Sequence, residues 1–177
     1  MFEINVAFLK SHGKLRSLIQ ISPLNNDKNI KMETQTIKFC AYENTLFNND
    51  QIADFLHEHL DEFGDEKDDI LKCLSYVQDK NKGGEIILAS NENEIIGAVV
   101  LNKTGMSGYI PENILVYIAV NNFYRGKGIG KKLMEYAIEF SDGNIALHCE
   151  PDNPAFHLYE KLGFKSKYLE MRLEKSN

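Results

Sequence analysis

The sequence predicts one mixed α/β domain, and three observations carry that expectation. Apolar residues recur at helical spacing behind positions 48, 64 and 128. Runs rich in Ile and Val lie between those stretches. The composition, 177 residues with 43% hydrophobic, 26% charged, 4 Pro and 12 Gly, is that of an ordinary globular chain and excludes collagenous, fibrous and disordered classes. A domain of this length buries roughly 70% of its unfolded surface, so its core needs no disulfide or metal staple.

The elements follow in chain order. Phe2, Ile4, Val6 and Phe8 alternate, Ser11-His12-Gly13 supplies a turn, and Leu15 to Ile21 is apolar again, which reads as a hairpin followed by a loop from Pro23 to Asn29. Residues 1–32 carry a net charge of +3 and residues 33–177 a net −9. We therefore read 1–32 as an N-terminal extension and 33–177 as the domain, with Met32 as an alternative start. Thr36 to Tyr42 reads as a strand. Ile52, Phe55, Leu56, Leu60 and Phe63 form a helical stripe behind Asn48-Asn49, which can cap it. Ile70, Leu71, Leu74 and Val77 mark a second helix, stopped by Gly83-Gly84.

Glu85 to Ser90 and Glu94 to Asn102 read as a hairpin about Asn91-Glu92-Asn93. Ile114 to Val120 is continuously apolar, as a central strand buried on both faces should be. A helix with Ile129, Leu133, Met134, Ala137 and Ile138 on one face runs to Ser141-Asp142-Gly143-Asn144. Ile145 to Glu150 then reads as a strand, Pro154 to Leu162 as a short helix, and Tyr168 to Leu173 as a closing strand. No internal repeat is present.

Several function classes are excluded early. Cys40, Cys73 and Cys149 are odd in number, widely spaced and without C-x-x-C, so neither a disulfide framework nor a thiolate metal site is expected. Three reduced thiols packed as small hydrophobes imply a cytoplasmic protein with no metal. The start, Met1-Phe2-Glu3-Ile4-Asn5, lacks a cationic leader, and no stretch approaches the roughly 20 apolar residues that span a bilayer, so no membrane partner is expected. The net charge of −6 disfavours nucleic acid.

Between the strand ending at Val120 and the helix that follows lies Gly126-Lys127-Gly128-Ile129-Gly130. A strand, a glycine-rich turn and a helix present unpaired N–H groups at a helix N-terminus, where the dipole favours an anion. Glycines permit positive φ and close approach of a ligand, and Arg125 and Lys127 add positive charge. Without a ligand the same residues make a tight strand-to-helix turn. A P-loop is excluded, because position 121 is Asn and Gly126-Lys127 is followed by Gly128 instead of Ser or Thr. A dinucleotide G-x-G-x-x-G fits poorly: position 131 is Lys, and only 27 residues follow Glu150, which lies where a ribose-binding acid would sit.

Arg125-Gly126-Lys127-Gly128-Ile129-Gly130, preceded by Ile118-Ala119-Val120, resembles the R/Q-x-x-G-x-G/A diphosphate loop of the GNAT superfamily of acetyl-coenzyme-A-dependent N-acetyltransferases. Asn153-Pro154-Ala155-Phe156-His157-Leu158-Tyr159-Glu160-Lys161-Leu162-Gly163-Phe164 resembles that superfamily's Asn...Ala-x-x-x-Tyr-x-x-x-Gly-Phe segment. The likeness spans about residues 36 to 173 and leaves the first 32 outside.

The resemblance implies a mixed, largely antiparallel sheet with flanking helices, in which the central strand and the Ile145–Glu150 strand run parallel and splay into a wedge for pantetheine. Backbone groups of Ile118, Ala119 and Val120 would hold its amides and thioester carbonyl, and the amides of Gly126, Lys127, Gly128, Ile129, Gly130 and Lys131 its diphosphate, beside Arg125. Tyr159 would donate a proton to the departing sulfur. Glu112, two residues before Ile114 and on the alternating face of Val116 and Ile118, is the candidate base; His148 and Glu150 are weaker ones. Relatives place Asn seven residues before the tyrosine, which is Asp152 here, so Asn153 or Asp152 faces the pantetheine.

The acceptor expected is a small-molecule or peptide amine, and acetyl-CoA the cosubstrate. Asp54, Glu58, Asp61, Glu62, Asp65, Glu66, Asp68 and Asp69 on the first two helices would attract a cationic amine, or serve only as a solvated face. Homodimer formation is left open. Two other classes stay in play: a coenzyme-A-binding module without turnover, and a nucleotide-binding domain.

Overall fold

A computed structural model of the chain describes residues 2–11, 14–23, 35–91, 93–173 and 175, with side chains from residue 37 onward, Asn44 excepted. The His12-Gly13 turn, most of the loop after Pro23, Met32 and Glu92 lie outside the described residues.

Among the described residues seven strands form one sheet in the order β1-β2-β3-β4-β5-β6-β7. They are β1 (Phe2–Ser11), β2 (Lys14–Pro23), β3 (Gln35–Ala41), β4 (Gly84–Ser90), β5 (Ile95–Lys103), β6 (Asn113–Val120) and β7 (Ile145–Leu147). Of the pairs among these described strands, five are antiparallel, and β6 and β7 run parallel. The mixed, largely antiparallel class is as expected. The parallel pair, however, stands at the edge of the sheet, because Tyr168 to Leu173 does not form the expected closing strand. That run has no regular structure, and Leu169, Met171 and Leu173 are each about nine-tenths exposed. Its alternation suits a strand, but strand formation needs a neighbour's ladder, and none is paired with it.

Helices cover both faces. Helices α1 (Asn49–His59) and α2 (Lys67–Gln78) lie on one; α3 (Ile129–Phe140) and the short α4 (Phe156–Lys161) lie on the other. Asn48 caps α1 as its residue type suggests. Its side chain accepts from the Gln51 N–H at 2.9 Å while Gln51 Oε1 accepts from the Asn48 N–H at 2.9 Å, a complete capping box. Ile52, Leu56, Ile70 and Leu74 are fully buried against Leu88, Ala98 and Val100. On the other face Leu133, Met134 and Ala137 of α3 bury against Phe39, Ile87, Val99 and Leu101. Each fully buried Leu or Ile contributes about 1.5–3 kcal/mol, so these two layers hold the sheet in place.

Register shifts reshape the strand that matters most. Val100 pairs with Tyr117 but Leu101 pairs with Leu115, so Val116 is the extra residue of a bulge. Consequently Leu115 packs on the α3 side while Tyr117 packs on the α1/α2 side, although they are two residues apart. The expectation of a strand buried on both faces is corrected as well. Residues 114, 116, 118 and 120 are only half-buried, since β7 and α4 leave that flank partly open.

α3 sits close on the sheet because position 97 is Gly: a Cβ there would lie 2.8 Å from Leu133 Cδ1 and 3.2 Å from the Ala119 carbonyl oxygen. Gly97→Ala is therefore expected to cost about 1–3 kcal/mol through overpacking, read as a lower urea midpoint with an unchanged m-value.

Candidate active site

β6 and β7 pair only through Asn113–Leu115 and Ile145–Leu147, after which they part. The predicted strand to Glu150 stops at Leu147 for this reason. Asn113, nearly fully buried, pins the closed end of the split: its Nδ2 donates to the carbonyl oxygens of Asp142 at 2.7 Å and Asn144 at 3.3 Å. Beyond Leu115 the β7-facing side of β6 has no ladder. The Asn121 N–H donates to the Ile96 carbonyl at 2.9 Å, which sets the antiparallel alternation: Tyr117, Ala119 and Asn121 bond to β5, and Ile118 and Val120 turn their N–H and C=O groups into the split. Of the three residues expected there, Ala119 thus spends its backbone on β5. The Val120 carbonyl accepts from Arg125 Nε at 3.0 Å. Left facing the split are both backbone groups of Ile118 and the N–H of Val120.

The split leads to the glycine turn. Gly126 (φ 74°) and Gly128 (φ 78°) adopt the left-handed conformation, and a Cβ at either would meet nothing within 4 Å, so the loop's surface is open at both. Gly128 is the N-cap of α3, with no side-chain cap and no acid in the first turn. The first-turn N–H groups of α3 are thus left without a side-chain partner. Gly130, expected to share the positive-φ geometry, is instead helical, and its role is close packing: a Cβ there would touch Val120 Cγ2 and Leu158 Cδ2, each at 3.6 Å. Strand end, helix start and α4 meet at that point.

The cationic side chains do not face this loop as expected. All three Arg125 nitrogens that can donate are in use: Nε to Val120, Nη1 to Asp61 Oδ2 at 2.8 Å, and Nη2 to the His59 carbonyl at 2.7 Å. Lys127 Nζ donates to the Phe123 carbonyl at 3.0 Å and lies 4.8 Å from the Tyr124 ring centroid. Lys131 pairs with Glu135 at 3.5 Å. What the loop offers an anion is chiefly main-chain N–H.

Tyr159 in α4 is 7% exposed, its ring edge-on to Phe164 with centroids 5.9 Å apart. Burial first, and then the neighbouring Cys149, push its hydroxyl well above the usual tyrosine range, so it stays protonated. Burial likewise raises the Cys149 thiol. Asn153 Oδ1 accepts from the Ala155 N–H at 2.9 Å and so caps the turn leading into α4.

Glu112 lies at the closed end of the split. Its carboxylate accepts from the Asn144 N–H at 2.7 Å and the Gly108 N–H at 3.3 Å, and these backbone donors hold it below the usual carboxylate range. The bulge at Val116 also removes it from the face of Ile118, contrary to the simple alternation. On the α1/α2 face, Tyr117 Oη donates to Asp65 Oδ2 at 2.7 Å, a pair that sequence spacing could not reveal because 52 residues separate the two. A shallow depression along α2, lined by Leu71, Ser75 and Tyr76 among others, shares no residue with these groups. Among the described residues no group of His, Cys, Asp or Glu could hold a metal, and no helix is long and apolar enough to cross a membrane.

A split parallel pair thus leads to an uncapped, glycine-initiated helix. The model of the acetyltransferase (GNAT) family matches residues 45–164, and the chain belongs to that family. Among solved structures, an aminoglycoside N-acetyltransferase, AAC(6')-Iy in complex with CoA, is similar with a TM-score of 0.60 or better, at 0.62, with 13% identity over 82% of this chain and 98% of that one. A transcriptional regulator from Bacillus halodurans C-125 matches at TM-score 0.60 with 22% identity, over 78% of this chain and 99% of that one. A ribosomal-protein-alanine N-acetyltransferase from Brucella melitensis biovar Abortus 2308 matches at 0.56 with 19% identity, over 78% and 99%. At these identities the likeness is one of fold.

The Glu112 contacts generate a pH prediction. A carboxylate held below its unfolded pKa stabilises the fold above about pH 4.3, and that contribution disappears as pH falls through the lower folded value. Glu112→Gln should therefore melt below wild type at pH 7, and the gap between their Tm values should close on acidification toward pH 3.

Proposed function

We propose that the protein is an acetyl-CoA-dependent N-acetyltransferase that transfers acetyl directly to a primary amine, acting in the cytoplasm, where its three cysteines, none of them in a disulfide, remain reduced. The observation that carries the reading is the line of unpaired main-chain groups from Ile118 and Val120 to the glycine-initiated start of α3. Those groups fit an extended amide-bearing arm that ends in a diphosphate: strand-like pairing along β6, then anion binding at a helix N-terminus. Bound acetyl-CoA supplies an acetyl group activated as a thioester.

The chain's own residues supply the rest. A peptide N–H of Ile118 or Val120 aimed at the thioester oxygen stabilises the charge that develops there, an effect worth about 3 kcal/mol for one well-placed donor. The amides of residues 126–131 position the diphosphate, with Lys127 and Lys131 adding only peripheral charge. Tyr159 gives its proton to the departing sulfur as the new C–N bond forms and the C–S bond breaks; the proton shed by nitrogen passes to water. Burial keeps that hydroxyl protonated and keeps Cys149 a thiol, so direct transfer is favoured over an acyl-cysteine route.

For the base, Glu112 is the poorer candidate, since its carboxylate is engaged by two backbone donors and holds its proton weakly. Solvent, admitted through the open flank of β6, takes that role. With a lysine-like pKa of about 10.4, roughly one acceptor amine in a few thousand is neutral at pH 7. Acids on α1, on α2 and in the segment between them favour a cationic acceptor, although Asp54, Asp61, Asp65 and Asp69 already have partners. Asn153, occupied by the Ala155 N–H, serves the pantetheine only through the placement of α4.

Two experiments test this reading. Acetyl-CoA titrated into the full chain by calorimetry should bind, and Gly128→Glu should weaken binding at least tenfold, because it places a negative charge at the helix start in a left-handed conformation that side chains resist. Absence of binding to wild type would end the proposal. With an amine panel and free coenzyme A as readout, Tyr159→Phe should lower kcat at least tenfold with acetyl-CoA affinity nearly unchanged, and kcat/KM of wild type should rise with pH from 6 to 9 without a falling limb from Tyr159.

A further inference from the structure

Arg125 is the best-connected side chain beside the cofactor loop, and its partners belong to another part of the molecule. Nη1 holds Asp61 and Nη2 holds the His59 carbonyl at the end of α1, while Nε holds the last carbonyl of β6. Asp61, at φ 53°, is the one non-glycine residue among those described with a positive φ. His59 is 7% exposed and its Nδ1 is buried without a hydrogen-bond partner. A left-handed aspartate and an orphaned imidazole nitrogen are both unfavourable, and such features persist where surrounding contacts over-determine them, commonly at ligand clamps. Four residues on, Asp65 accepts from Tyr117, which packs on the α1/α2 face beside the bulge of β6. The segment from Leu60 to Glu66 is thereby tied at both ends to β6 and the loop after it.

We propose that Arg125 is a positioning residue, a latch that fastens the Leu60–Glu66 segment to the cofactor loop and so couples occupancy of that loop to the order of the acidic face offered to the amine. This rests on the acetyl-CoA reading of the glycine loop. A guanidinium can serve three acceptors in fixed directions, which an ammonium cannot reproduce. The diphosphate is then left to main-chain N–H groups, and the arginine acts through the segment it holds.

The test is hydrogen exchange of residues 60–66 in the full chain, with and without coenzyme A, alongside coenzyme A affinity by calorimetry. In the latch, Asp61→Ala and Arg125→Lys each speed exchange of that segment about three- to fivefold, the scale of a partly exposed ion pair. Both lose the protection that coenzyme A confers on wild type, and both keep its affinity within about twofold. The idea is overturned if Arg125→Ala weakens coenzyme A tenfold or more, Arg125→Lys restores it, and exchange at 60–66 does not move; Arg125 is then a diphosphate ligand. If wild type binds no coenzyme A, the acetyltransferase reading fails and the coupling to occupancy fails with it; the unliganded exchange then decides only the fastening of the segment, which faster exchange in Asp61→Ala supports and unchanged exchange overturns.

Discussion

The parting of two parallel strands is the constraint on which this molecule's chemistry depends. Backbone N–H and C=O groups along a strand are obligatory hydrogen bonders, and leaving them unmade in a partly buried setting is unfavourable. Here β6 leaves β7 after three residues while its other edge stays laddered to β5. The closed end is pinned by Asn113 and Glu112, which between them engage Asp142, Asn144 and Gly108. The open end presents Ile118 and Val120 to whatever can pair with them. A ligand with amide groups in an extended arm satisfies those groups as a neighbouring strand would.

For a polyanion to bind an acidic protein, favourable potential must be concentrated locally. What this chain offers at the glycine loop is dipoles more than charged side chains. The N-terminus of α3 carries neither a capping side chain nor an acid, and Gly126 and Gly128 turn the preceding backbone without a Cβ in the way. Arg125 and Lys127, the obvious cations, are folded onto protein carbonyls and, for Lys127, an aromatic ring. Dipoles fixed by a helix that is itself buried through Leu133, Met134 and Ala137 would need no reorganisation to receive an anion.

Burial sets the proton chemistry by the same logic. Tyr159 and Cys149 lie where charge is poorly solvated, so each favours its neutral form, which suits a proton donor and disfavours a thiolate nucleophile. Glu112, surrounded by backbone donors, is pushed the opposite way. Two ionisable groups near the same pair of strands are thus driven apart, and the one placed to hold a proton is the tyrosine.

Much of this was legible from residue order. Periodicity located the helices at 49–59, 67–78 and 129–140, Asn48-Asn49 marked the start of the first, and alternate glycines after an apolar strand announced a glycine-initiated helix. Such features are local, decided by side-chain volume, capping chemistry and φ preference within a few residues. What tertiary structure alone decided are the relations between distant segments. The bulge at Val116 reversed which face Glu112 shares, the missing neighbour left Tyr168–Leu173 unpaired, Arg125 found Asp61 across 64 residues, and Tyr117 found Asp65 across 52. Strand register and long-range hydrogen bonds depend on where whole layers come to rest, and no pattern within one segment encodes that.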